Sequence, residues 1–508
     1  MERRAFFKLA GLSAAMLAAG GALGACDVQR EISTALTPVS APDDGADAAT
    51  VVGQPAVSFT QTVDVLVVGS GVAGLSAAMA PLDAGRSVMI VDKQDLLGGE
   101  SYDSNGVLYA ANTKVQQDAG VKMTLDEAWT IRKQELKAVG VDDVDFAQKL
   151  FEEAREWADL LADDYGAQFA DPKTYKDEDV SGFVLLPKNG LGDMESVMVP
   201  LRDGLSGKGA TFQTGQRAEA FILSDTGSVC GMRFVATKGG AVMDVRARCV
   251  VLATGGFASS QPLVHTYTPD WERAGCYTTA SMGEGQLLCS AVRGELENMD
   301  KHAPLTSDLP QAAAWGLFGP TVIVDTVGNR FAREDSMNDA ADACYSEVRG
   351  YWWTVFDKQL TESSQSRSIA QLTSKQSRRL VGPCDSLEEL ADEMGAPQET
   401  LKKTFERYDG MVDAGKDDDF GRTLFLDKLE GPYYAIKQLP VRYKTRGGVR
   451  TDDEGRALTA AGTVIPNVYC CGAVASKGVE GLASCGAFGL LVGRAVASAL
   501  DERDSSSE

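Results

Sequence analysis

The chain has 508 residues, 44% hydrophobic and 24% charged, and its 72 acidic against 49 basic side chains give a formal charge of −23. That length exceeds one ordinary core, so two or more domains are expected, and the negative balance argues against a nucleic-acid partner. His265 and His302 are its only histidines and none of its ten cysteines forms a CxxC pair, so no metal site, zinc ribbon, iron–sulfur cluster or c-type haem is expected.

Residues 1–26 read as an address and not as fold. Arg3-Arg4 is a twin-arginine pair followed by Phe6, Phe7 and Lys8, and residues 9–23 are a weakly apolar, Ala- and Gly-rich stretch. The stretch is too short to be a convincing spanning helix, and it ends Leu23-Gly24-Ala25-Cys26, which resembles a bacterial lipobox. This implies twin-arginine export, cleavage before Cys26, and a lipid anchor on that sulfur at the outer face of the cytoplasmic membrane. Residues 27–60 are rich in Ala, Asp, Pro, Ser and Thr without periodicity and read as a flexible linker.

Residues 63–68, VDVLVV, have the β-branched character of a buried parallel strand and run into Gly69-Ser70-Gly71-Val72-Ala73-Gly74. In such a turn Gly69 permits the tight bend, Gly71 lets a pyrophosphate approach, and Gly74 lets helix and strand pack closely. The second strand ends in Asp92, 18 residues after Gly74, where a ribose hydroxyl needs an acceptor, with Lys93 beside it. The turn alone predicts only a dinucleotide.

Residues 98–106, GGESYDSNG, extend the reading. This loop, with Gly98, Gly99, Ser101 and Ser104, resembles the flavin-facing loop of fumarate reductase/succinate dehydrogenase-type flavoproteins. Residues 249–257, a buried strand ending Ala253-Thr254-Gly255-Gly256, resemble that family's second nucleotide-contacting turn. Further segments at residues 281–285, 322–334, 417–422, 431–435, 445–449, 465–472 and 493–494 match family patterns in order, so the resemblance covers roughly residues 63–499. It implies non-covalent FAD, an α/β fold, and a Rossmann-type FAD-binding domain (61–298 and 436–502) interrupted by an α+β capping domain (299–435); residues 503–508 read as a disordered tail. It adds Ala218, Gly472, Ala473, Ser484 and Gly486 to the cofactor contacts, the last two opening a helix aimed at the flavin.

The chain also departs from the family. Its arginine clamp for two carboxylates is missing, Lys444 stands where a histidine is usual, and His302 is one position out of register. A bulkier or less charged substrate is therefore expected. The end segment also resembles ketosteroid dehydrogenase-like and enone or enoate reductase relatives, where tyrosines serve as acid or base. The candidate catalytic groups are Tyr345, Tyr443 and Tyr102 with Lys444, Arg446, Arg333 and His302. Three readings stay open: hydride transfer from flavin to an activated C=C bond of a small acceptor, with a separate cytochrome or quinol-linked membrane donor; the reverse, ketosteroid-type dehydrogenation; and a non-catalytic electron relay.

Overall fold

The computed structural model describes residues 39–40, 56–138, 141, 143–174, 182–309, 317, 319–363, 379–479 and 481–507. The expected twin-arginine segment and Cys26 lie outside the described residues.

The first strand, β1 (Phe59–Val68), is longer than its apolar run. Its first residues are mostly exposed and only the second half is buried, so the apolar pattern starts at Val63 although the backbone pairing starts at Phe59. Part of the segment read as linker is thus strand, and Val39–Ser40 also pairs, alongside Ile222 and Leu223. Helix α1 (Val72–Ala77) follows, then β2 (Val88–Val91). Two longer helices, α2 (Leu125–Ala138) and α3 (Val144–Asp163), precede β3 (Thr211–Gln213), β4 (Gln216–Leu223), β5 (Val229–Ala236) and β6 (Val242–Leu252).

The central sheet has nine strands. Pairing is parallel from β3 to β2, β1 and β6, while β4 and β5 extend it antiparallel. The fold is mixed α/β, with the parallel strands buried at its centre as a two-sided core requires.

A second sheet forms between residues 321 and 438. Strands β7 (Thr321–Val324), β8 (Trp352–Asp357), β9 (Leu380–Cys384) and β10 (Tyr433–Gln438) run antiparallel in the order β7-β8-β10-β9. Helix α4 (Met337–Ser346) lies between β7 and β8, and α5 (Leu387–Met394) with α6 (Gln398–Ala414) covers the sheet through Leu390, Leu401, Phe405 and Tyr408. This cap also has a charged interior. Arg330 donates to Glu334 at 2.7 Å and to Asp417 at 2.6 and 2.8 Å, with all three side chains at most 4% exposed. Arg422 donates to the carbonyls of Thr321, Gly319 and Leu424, pinning β7 to the loop after α6.

The chain returns to the first sheet through β11 (Val464–Cys470), parallel to β6, and then forms α7 (Leu482–Ser507), so residues 503–507 are helix and not a disordered tail, with Asp504 paired to Arg86 and Arg248. Helix α7 is long and apolar enough to cross a membrane by composition, but 56% of its apolar window is buried. It is the core helix here: a Cβ on Gly489 would lie 2.2 Å from the Ala73 carbonyl oxygen, and one on Gly493 2.6 Å from that of Ala77. Backbone thus meets backbone where α7 crosses α1.

The charged cap interior sets two expectations. Arg330→Ala leaves the buried Asp417 without its cation and Glu334 with Arg422 alone at 3.2 Å, so urea melts should show about 3–5 kcal/mol lost. Burial pushes the Asp335 carboxyl up, but the Arg333 guanidinium and the N–H groups of Thr423 and Leu424 prevail and hold it at about 2. Asp417 is held low in the same way by Arg330. Both folded values lie below the unfolded carboxylate value of about 3.9, so this stability is full above about pH 5 and lost as pH falls toward 2. Thermal melts from pH 7 downward should fall in that window, and Asp335→Asn should flatten part of the slope.

Candidate functional site

The carboxyl ends of β1, β2, β6 and β11 converge, and what lets them do so is the absence of Cβ atoms. Gly69 has φ +106°, and a Cβ there would lie 2.3 Å from the Ala253 carbonyl oxygen; one on Gly74 would lie 2.0 Å from the Gly69 carbonyl oxygen. The Asp92 carboxylate accepts the Ser70 N–H at 2.8 Å, the Ser70 hydroxyl at 2.6 Å and the Gln94 N–H at 2.8 Å. Ser70 Oγ in turn accepts the Gly98 N–H at 2.9 Å, and Ser101 Oγ accepts the Val72 N–H at 3.0 Å. The two glycine turns are thereby tied to each other and to β2.

Along these turns runs a cleft of about 680 Å³. At one end Gly69, Gly71, Val72 and Ala73 line it with Asp92, Lys93, Ala218, Ala253, Thr254 and Gly255. Lys93 is steered by the Ala280 carbonyl and Glu284, each at 2.6 Å. Gly99, Ser101 and Ser104 line the middle, and Gly472 and Ala473 lie after β11. The lining also includes Tyr109, Arg132, Glu135, Tyr277, Thr278, Asn338, Tyr443 and Lys444, with Leu482 and Cys485 from α7.

These residues fit a bound dinucleotide. The turns leave room for backbone approach, and the Thr254 hydroxyl is buried in the cleft wall with no hydrogen-bond partner among the described residues. A buried hydroxyl left unsatisfied is costly, and a ligand oxygen removes that cost.

Several expected contacts stand behind the wall. Gly74 and Gly98 shape the turns, and Gly256 packs on Thr445, whose Oγ1 a Cβ would meet at 2.5 Å. Ser484 is not on the wall. Gly486 is also off the wall: a Cβ there would lie 2.2 Å from the Trp157 ring, so its lack of one serves packing against α3. Cys470 and Cys471 are fully buried, and burial pushes the Cys471 thiol well up.

Of the expected catalytic groups, the structure brings Tyr443 and Lys444 to the cleft. Lys444 donates to the Val479 carbonyl at 2.6 Å. The others stand off the wall. Arg333 pairs with Asp335 at 2.6 Å inside the cap, and the Tyr345 hydroxyl accepts the Arg273 N–H at 3.2 Å. His302 packs against Trp271 with ring centres 3.8 Å apart and the planes tilted by 40°, and burial pulls its imidazole below the ordinary value. Its backbone bridges Thr445, and the Arg446 N–H goes to the Lys301 carbonyl, so both hold the junction between the two sheets. Tyr102 is 39% exposed beside Gly98.

Sequence reading missed Arg132. It is 7% exposed, stacks 3.7 Å above the Tyr109 ring and pairs with Glu135 at 2.8 Å. The signal was available: Ala128, Trp129, Arg132 and Leu136 share one helical stripe, and a cation on an apolar stripe needs a partner inside. Tyr277, Thr278 and Asn338 carried no such sign.

The FAD binding domain family matches residues 64–490, and the chain belongs to it. A probable fumarate reductase of Shewanella frigidimarina is 28% identical over 86% of this chain and 74% of its own length. The NADH:acrylate oxidoreductase of Vibrio harveyi is 26% identical over 82% of this chain, which spans only 48% of that protein. Among solved structures, the open conformation of a flavocytochrome c3 fumarate reductase superposes with a TM-score of 0.71 at 26% identity, over 87% of this chain and 79% of the other. The cofactor is FAD, and the chain is an FAD-dependent oxidoreductase acting on carbon–carbon single or double bonds.

Asp92→Ala strands the buried Ser70 N–H and hydroxyl and loosens both turns. We expect FAD affinity to fall about tenfold or more, read as flavin absorbance retained after dialysis, while Asp95→Ala at the exposed pair with Lys238 leaves it unchanged.

Proposed function

We propose that this member of the FAD binding domain family is an exported, lipid-anchored reductase that adds hydride to the activated C=C bond of a small enone or enoate. The observation that carries this reading is the lining of the cleft. Tyr277, Thr278, Asn338 and Tyr443 are polar and neutral, and the cations that line it already serve protein partners: Lys93 with Glu284, Arg132 with Glu135, Arg217 with Glu219 and Lys444 with the Val479 carbonyl. A dicarboxylate clamp needs cations aimed at its ligand, so a substrate with one activating carbonyl suits this wall better.

Bound FAD supplies the hydride. The chain's residues do the rest. The two tied turns hold the nucleotide half, the walls exclude water, and Tyr443 is placed to give the proton that completes the reduction. Electrons come from a separate cytochrome or quinol-linked membrane partner, in keeping with the export and lipid signals read at Arg3-Arg4 and Cys26.

Reduced methyl viologen offered a panel of enones, enoates and fumarate tests the reading. Turnover of fumarate alone sinks it, oxidation of a saturated ketosteroid with a dye acceptor supports the reverse reaction, and no turnover supports an electron relay. Tyr443→Phe should lower kcat about 10²-fold or more with FAD retained. In the native host, Cys26→Ser should move the protein from the membrane fraction to the soluble one.

A further inference from the structure

Asn338 is the one residue of segment 299–435 on the cleft wall among the described residues. It is the second residue of α4, whose first turn is fixed by the Ser336 hydroxyl accepting the Asp339 N–H at 3.3 Å. Among the described residues its amide makes no hydrogen bond, unlike Arg132 and Lys444 on the same wall. The charges near it are spoken for: Arg333 holds Asp335 at 2.6 Å and reaches Asp339 at 3.8 Å, off the wall.

We propose that Asn338 is the cap's specificity residue, its amide N–H donating to the carbonyl oxygen of the acceptor and so selecting an uncharged enone over a carboxylate. This rests on the reductase reading above and names the substrate class within it. A side-chain amide has two donors and no charge. It matches a neutral carbonyl oxygen, whereas a carboxylate is held best by a cation. Removing such a donor weakens binding of the carbonyl ligand strongly, because its oxygen is then left unpaired in the site. An amide also delivers no proton at ordinary pH, which leaves that step to another residue lining the cleft, Tyr443.

The test uses the FAD-loaded full chain, with 2-cyclohexen-1-one and 1-cyclohexene-1-carboxylate as the two probes. Dissociation constants come from perturbation of the oxidised flavin spectrum, and kcat and KM from reduced methyl viologen. We expect the wild type to bind the enone at least tenfold more tightly than the carboxylate. Asn338→Leu should weaken enone binding tenfold or more and raise KM, leaving the pH dependence of kcat in place. Asn338→Lys should reverse the preference. Binding ratios within twofold of wild type in both variants, with FAD content intact, would overturn the proposal. If the wild type binds the enone but reduces neither probe, the reductase reading fails, and the binding ratios still decide the role of Asn338.

Discussion

The architecture depends on close approach of backbone to backbone at the carboxyl ends of the parallel strands. Gly69 against Ala253, Gly74 against Gly69 and Gly489 against Ala73 leave no space for a Cβ, and each contact sets the depth of the next. Asp92 then converts proximity into rigidity. Its carboxylate gathers two donors of Ser70 and the Gln94 N–H, and Ser70 passes the constraint on to Gly98. A carboxylate held this way serves the turn as much as any ligand. The sequence pattern that suggests a ribose acceptor at Asp92 and the structure that makes it a keystone of two loops describe the same acid.

The cap is held by a different kind of interaction. Its charges face inward, where Arg330, Glu334 and Asp417 are nearly water-free. Such a cluster adds little net stability over an apolar core but strongly penalises any arrangement that separates its members. Its use is registry, since it fixes the hairpin after β7 against the loop that follows α6. The first sheet carries such a pair too, Arg233 donating to Asp244 at 2.7 Å between β5 and β6, beside its small-residue contacts and apolar strands.

Legibility in the sequence followed the range of the forces. The GxGxxG turn, the loop at Gly98 and the strand ending at Ala253 could be read because each is forced by local sterics. The length of β1 could not, since its first half is paired but mostly exposed and leaves no apolar trace. Gly486 misled because a glycine near a helix start looks like a ligand contact, while the Trp157 ring that needs the space comes from 329 residues earlier in the chain. Arg132 was visible as a cation on an apolar stripe. Arg333 and Tyr345 looked catalytic by residue type, but which face of the cap meets the cleft is decided by how the two bodies dock, and no short-range pattern encodes that.

The packing also links the candidate residues of the site. Tyr443 lies between two anchored neighbours: the Arg442 guanidinium donates to the carbonyls of Ala258, Trp271 and Ala274, and Thr445 Oγ1 accepts the Phe257 N–H at 3.0 Å. Two residues on, Gly447 lies so close to Asn298 that a Cβ would sit 2.3 Å from its carbonyl oxygen. Tyr443 is therefore built into the FAD-domain side. Asn338 rides on α4, whose packing partners are Trp271, Leu305, Phe331 and Trp352. Trp271 is shared: it packs with α4, and its carbonyl takes the Arg442 guanidinium beside Tyr443. On the proposed reading, then, the carbonyl anchor and the proton donor are positioned through one core, and an acceptor lacking the right oxygen meets Tyr443 without the anchor that orients it.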